Sequence, residues 1–150
     1  MNENNVLLGT WQLLSWEIAH ADGRPPSLPF GADATGLIVY SSDGWMNACI
    51  ATAGRPPLSS VSVRQAPEAE RIAAFESFFQ YAGRYQLQRG EQGLQVVHQV
   101  THSLNPNFVG SQQVRDVNFD AQGVLTLSAS EALPDGQMRH HRLRWRRATS

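Results

Sequence analysis

The feature that most limits what this chain can become is its period-two alternation, repeated along most of its length and cut by turn chemistry. Runs such as "GTWQLLSWEI" (9–18), "TGLIVYS" (35–41), "WMNACIAT" (45–52) and "RYQLQR" (84–89) alternate outward and inward residues as strands do. "LQVVHQVTHSL" (94–104), "SQQVRDVNF" (111–119), "GVLTLSAS" (123–130) and "QMRHHRLRWRR" (137–147) continue the pattern. Asp22-Gly23, Asp43-Gly44 and Asp135-Gly136 mark tight turns between them. About eight strands with short connections predict a mainly β protein whose antiparallel sheet closes into a barrel, because closure removes exposed sheet edges. The interior of such a barrel holds packed side chains or one small ligand.

One segment departs from the pattern. "PEAERIAAFESFFQYAG" (67–83) has Pro67 for a first turn, Glu68 at the positive end and Gly83 beyond the close. Ile72, Phe75, Phe79 and Ala82 recur at helical spacing, which predicts one α-helix docked on the sheet, with Tyr81 at its end covering the barrel.

At 150 residues the chain fits a single domain, 1–150, with a continuous core. Twelve Lys and Arg against thirteen Asp and Glu give a formal charge of −1, which argues against nucleic acid or an anionic membrane as partner. The basic cluster "RHHRLRWRR" alternates with Leu143 and Trp145 and reads as the solvated face of a last strand. "MNENNVLLGTW" has no basic stretch followed by an apolar run, so no secretory signal is expected, and no window approaches a membrane span; the expectation is a cytoplasmic protein. The single Cys49 excludes an internal disulfide and a cysteine-based zinc site.

Alternation also sorts faces. Leu94, Val96, His98, Val100, His102 and Leu104 share one side of their strand, so both histidines are expected to point with the apolar residues. Gln113, Arg115, Val117 and Phe119 share the apolar side of the next strand. Trp11, Leu13, Ser15 and Glu17 share a face of the first strand, and His141, Leu143 and Trp145 a face of the last. Ile38 and Tyr40 are taken as inward. His98 and His102 cannot bind one ion: four residues of strand span about 13 Å at about 3.3 Å each, against zinc–nitrogen bonds of about 2.0–2.1 Å. No metal or cofactor is expected.

The ordered set "GTW", "TGLIVYSSDGWMNA", "QYAGRY", "HSLNPNFVGSQQVR" and "LRWRR" resembles the lipocalin-like domain family, small bacterial and fungal intracellular relatives of the lipocalins, over nearly the whole chain. The resemblance implies a calycin-type barrel in which Trp11 packs under Arg146 or Arg147. It also implies recurring polar positions at Tyr85, His98, Asn105, Pro106, Gly110 and Arg115. The signal and disulfides of secreted lipocalins are missing.

Tyr85, His98 and Arg115 lie on three consecutive strands and are expected to converge on one cavity wall. Histidine moves protons near neutral pH, arginine holds an enolate or carboxylate, and tyrosine donates to a carbonyl oxygen. Tyr40, Tyr85, His98, His102, Gln113, Arg115 and His141 are the expected ligand-binding set. The expected activity is binding of a small, largely hydrophobic, carbonyl-bearing molecule. The alternatives are a cofactor-free isomerase, cyclase or lyase that uses His98, Arg115 and Tyr85, an interior hydrogen-bond network with no ligand, and a haem barrel with one axial histidine. A homodimer through exposed Val97 or Leu37 is a further expectation.

Overall fold

The computed structural model describes residues 5–149; residues 1–4, where the expected absence of a secretory signal partly falls, and Ser150 lie outside the described residues. Eight antiparallel strands form one closed barrel in chain order. They are β1 (Gly9–His20), β2 (Thr35–Tyr40), β3 (Trp45–Ala51), β4 (Phe78–Gly90), β5 (Gly93–Ser103), β6 (Gln112–Phe119), β7 (Leu125–Ala132) and β8 (Met138–Arg147). Each strand pairs with the next, and β8 returns to β1 with Trp11 opposite Arg147. Among the described residues no helix is long and apolar enough to cross a membrane.

The closure is held at one end by an aromatic and a cation. Arg147 places its guanidinium 4.2 Å from the Trp11 ring centroid and donates to the carbonyls of Leu8 and Val6 at 2.7 and 3.0 Å. Trp11 in turn donates from Nε1 to the Leu7 carbonyl at 2.9 Å. The arginine of the latch is therefore Arg147. Leu7, Ile38, Tyr40, Val96, Leu125 and Trp145 are buried around it and upward from it, which places Ile38 and Tyr40 inside. Val97, expected as an exposed dimer contact, is only 7% accessible, while Leu37 is exposed.

The helix is shorter than its periodicity suggests. α1 (Glu68–Glu76) starts from Pro67, whose carbonyl accepts from the amides of Glu70 and Arg71, and stops at Ser77. It buries no residue: Ile72 and Phe75 stay 49% and 51% accessible. Its tethers are to the preceding loop, where Ser59 donates its N–H and hydroxyl to Glu70, and Arg55 donates to Ser77 Oγ and the Ala74 carbonyl. Phe79, Ala82 and Gly83, expected at the helix face and close, belong to β4 instead. Aromatic residues favour a half-buried pleated surface, and burying Phe79, Tyr81 and Tyr85 in the barrel outweighs two further turns of helix.

Two irregularities in the ladders invert the expected faces. Register shifts between Leu13 and Ser15 in β1, so that Trp16 and Ile18 face inward in place of Ser15 and Glu17. In the β4–β5 ladder Gly83 pairs with Val100 and Ala82 with His102, leaving Thr101 as the extra residue. A β-bulge of this kind reverses the side-chain alternation beyond it. His102 is accordingly exposed, with its Nδ1 2.9 Å from Thr101 Oγ1. Gly83 permits the close approach, since a Cβ there would lie 1.9 Å from the Gln99 carbonyl oxygen.

Candidate functional site

The half of the barrel away from the Trp11 latch encloses a cavity of about 390 Å³. Its apolar wall comes from six of the eight strands: Trp16 on β1, Ile38 on β2, Ile50 on β3, Phe79 on β4, Leu127 on β7, and Leu143 and Trp145 on β8. Phe108 reaches the same space from the turn between β5 and β6, where Asn105 Oδ1 accepts from the Asn107 amide and fixes a single turn at Pro106–Phe108. Phe79 packs edge-on against Tyr81 and Phe108 at centroid distances of 5.6 and 6.0 Å. Trp145 buries its Nε1 without a partner among the described residues, a desolvated donor in the cavity wall.

The polar groups gather on two sectors of this wall. The first is built on β4, β5 and β6. His98 is 1% accessible, the one polar residue in the buried core of the described chain. Tyr40 Oη lies 2.7 Å from its Nε2, and Tyr81 Oη 2.6 Å from its Nδ1. Both ring nitrogens are thereby occupied by neutral partners. Burial, with the Arg115 charge adding to it, pushes the imidazole pKa down to about 3, so the ring is neutral at physiological pH. Tyr81 and Tyr40 have their hydroxyl pKa raised, first by burial.

Arg115 lines the cavity beside this group. Its guanidinium donates to the Val114 carbonyl at 2.9 Å and to Gln113 Oε1 at 3.3 Å, both on its own strand. Gln113 also lines the cavity and is held by a 2.9 Å bond to Ser111 Oγ. The ladder pairs His98 with Gln113 and Val96 with Arg115, so His98 and Arg115 share a cavity and not a register position.

The second sector lies on β1, β7 and β8. Trp16 Nε1 donates to His141 Nδ1 at 3.2 Å, which puts the ring proton of neutral His141 on Nε2, 3.8 Å from Glu131 Oε1. Desolvation lowers the His141 pKa, partly offset by Glu131. The Arg139 guanidinium, which donates to Glu131 Oε1, holds that carboxyl below its ordinary value.

Of the expected site residues, His98, Gln113, Arg115 and His141 line the cavity, and Tyr40 supports His98 from behind. Tyr85 is opposite His98 in the ladder, but its hydroxyl donates to the Ser41 carbonyl at 2.6 Å and accepts from Asn5 Nδ2 at 2.7 Å. It does not line the cavity; its ring packs edge-on against Tyr40 at 4.8 Å. The expected convergence of Tyr85, His98 and Arg115 thus becomes His98, Arg115 and Tyr81. His102 is outside, for the bulge given above. Trp16, Phe79, Tyr81 and Phe108 were not expected in the site. "FFQYAGRYQL" carries a signal for two of them, since Phe79, Tyr81, Gly83, Tyr85 and Leu87 alternate without interruption.

A family model described as a lipocalin-like domain matches residues 8–148, nearly the whole chain. No curated protein matches the sequence significantly.

Proposed function

The chain belongs to the lipocalin-like domain family, and from that premise we propose that its barrel binds a small, largely apolar molecule bearing a carbonyl group. One observation carries the reading: a cavity of about 390 Å³, walled by aromatic and aliphatic side chains, has Arg115 and the Tyr81–His98 pair together on one sector. Ligand pockets are mostly apolar with a few converging polar groups that fix orientation. An arginine at a cavity wall is costly unless it is paired or meets a ligand oxygen, and Arg115, which gives one hydrogen bond each to Val114 and Gln113 among the described residues, has N–H groups left to offer a ligand. Arg115 orients the carbonyl end, and Trp16, Phe79 and Phe108 cover the apolar body. The setting we assign is cytoplasmic, in keeping with a half-buried free thiol at Cys49.

The test is a native mass-spectrometric search for a small molecule that co-purifies with the protein, run beside Arg115→Met. We expect an apolar carbonyl compound on the wild type and at least tenfold lower occupancy on the variant, since a charge-assisted hydrogen bond contributes about 1.5–3 kcal/mol. Equal occupancy on both proteins, or a cationic ligand, overturns the reading.

A second reading is a cofactor-free isomerase, cyclase or lyase acting on such a compound. The observation that favours it is the second polar sector, where His141 carries its proton on Nε2 toward Glu131 inside the same cavity as Arg115. In this reading His98 is not the base, because both its nitrogens are occupied and its pKa is near 3. Glu131 takes the proton, His141 positions that carboxylate with its Nε2–H, and Arg115 holds the enolate oxygen.

A further inference from the structure

Building on the ligand reading above, we propose that Tyr40, His98 and Tyr81 form an oriented hydrogen-bond relay whose cavity end, the Tyr81 hydroxyl, donates to the ligand's carbonyl oxygen beside Arg115. The argument is a count of protons. Neutral imidazole has one N–H donor and one acceptor nitrogen. With Tyr40 Oη 2.7 Å from Nε2 and Tyr81 Oη 2.6 Å from Nδ1, one tyrosine must donate its proton to the ring. The other accepts the ring N–H and keeps its own proton for a different acceptor.

Two arrangements satisfy this count. In the first, Tyr40 donates to Nε2, the Nδ1–H donates to Tyr81, and the spare proton is on Tyr81. In the second, every bond is reversed and the spare proton is on Tyr40. Tyr40 is 1% accessible, does not line the cavity, and has no acceptor other than His98 among the described residues. Its flank is closed by the Tyr85 ring. A spare proton there is a buried, unsatisfied donor, which costs far more than the same proton at a cavity surface. Tyr81 lines the cavity, so a ligand oxygen can accept from it. The first arrangement is the stable one, and it fixes His98 as the Nδ1–H tautomer.

The consequence is a wall that only donates. Tyr81 presents an O–H whose oxygen is already engaged by the ring N–H, and Arg115 presents N–H groups that never accept. Accepting the Nδ1–H also polarises the Tyr81 hydroxyl and makes it a better donor. The Arg115 charge acts on Tyr81 in the same sense, favouring negative charge on oxygen at this wall. The ligand end that meets this wall is therefore an acceptor oxygen, of a carbonyl or a carboxylate, and an amine or cation finds no acceptor on Tyr81 or Arg115. Tyr40 is a positioning residue: it reaches the ligand only by setting the ring tautomer.

The experiment has two arms. Nitrogen-15 NMR of the His98 ring in the whole protein reads the tautomer directly: we expect a protonated Nδ1 and a bare Nε2, and a protonated Nε2 overturns the relay. In the second arm 2-acetylnaphthalene and 2-ethylnaphthalene, alike in size and shape, are titrated into the wild type and Tyr81→Phe. The variant is expected to bind the ketone about three- to tenfold more weakly and the hydrocarbon within about twofold of wild type. An equal change for both probes sinks the relay and leaves the ligand reading standing, whereas binding of neither probe to the wild type sinks the ligand reading itself. Tyr40→Phe is expected to lose the single tautomer and part of the ketone preference while hydrocarbon binding holds. If Tyr81→Phe fails to fold, the ring nitrogens of the wild type still decide.

Discussion

The two ends of this barrel use the same kinds of residue for opposite purposes. At the latched end, the polar tips of large side chains go to backbone carbonyls: Trp11 to Leu7, Arg147 to Leu8 and Val6, Tyr85 to Ser41. At the hollow end they go to titratable side chains that line the cavity: Trp16 to His141, Tyr81 to His98. A tip bonded to a backbone carbonyl has one arrangement and serves closure. A tyrosine hydroxyl bonded to an imidazole has two, set by the ring tautomer, and can respond to what enters the cavity, whereas Trp16, which only donates, fixes the tautomer of His141.

The strongest way to break that contrast is at the latch. Trp11→Ala removes a ring that is 1% accessible and the platform for Arg147, and is expected to cost about 3–5 kcal/mol in urea unfolding. Below its lowered unfolding midpoint the variant should still bind 2-acetylnaphthalene, because none of the cavity's donors depends on Trp11. A loss below about 1 kcal/mol, or selective loss of the ketone, would mean that the two ends are not separate in function.

A smaller effect sharpens the other side of the comparison. His98 titrates near 6.5 in the unfolded chain and near 3 in the folded one. As pH falls below 6.5 the unfolded chain gains a proton that the folded chain refuses until about pH 3, so stability is full above 6.5 and declines between those values. The slope is about 1.4 kcal/mol per pH unit within that window. The difference between wild type and His98→Gln in urea midpoints, followed from pH 7.5 to 4.5, isolates it from the carboxylates. A flat difference would show that His98 is protonated in the folded protein, and the relay of neutral hydrogen bonds would go with it.

The barrel itself was legible because period-two alternation and Asp-Gly turns are local, and every strand expected from them is present, seven with ends within two residues and β4 starting six residues earlier than expected. So was the inward placement of His98, Arg115, Gln113 and His141. What was not legible is what a bulge does. The extra residue in β1 between Leu13 and Ser15, and Thr101 in β5, leave no mark in hydrophobic pattern, yet each flips every side chain beyond it. Trp16 entered the cavity and His102 left it for that reason. Tyr81 was hidden differently: Ile72, Phe75, Phe79 and Ala82 fit a helix while Phe79, Tyr81 and Tyr85 fit a strand, and local spacing does not rank the two. Burial ranks them, since the strand places Tyr81 against His98 and the helix leaves Ile72 and Phe75 in water. Gly83, read as a helix stop, is the residue whose missing side chain lets β4 approach the Gln99 carbonyl.

The smallest expected effect tests the bulge itself. His98 and His102 are four residues apart on one strand and carry the same side chain, so substituting each isolates position from chemistry. His102 is exposed and its Nδ1 meets only the neighbouring Thr101 hydroxyl among the described residues. His102→Ala is therefore expected to shift stability by no more than about 0.5 kcal/mol, the range for surface substitutions, and to leave the affinities for both naphthalene probes within about twofold. Uninterrupted alternation would put the ring inside with Val100, where losing it would open the barrel wall and change the affinity for the hydrocarbon and the ketone alike. A change in hydrocarbon binding in His102→Ala would thus restore the regular ladder, and with it the pair of inward histidines that the sequence pattern alone describes.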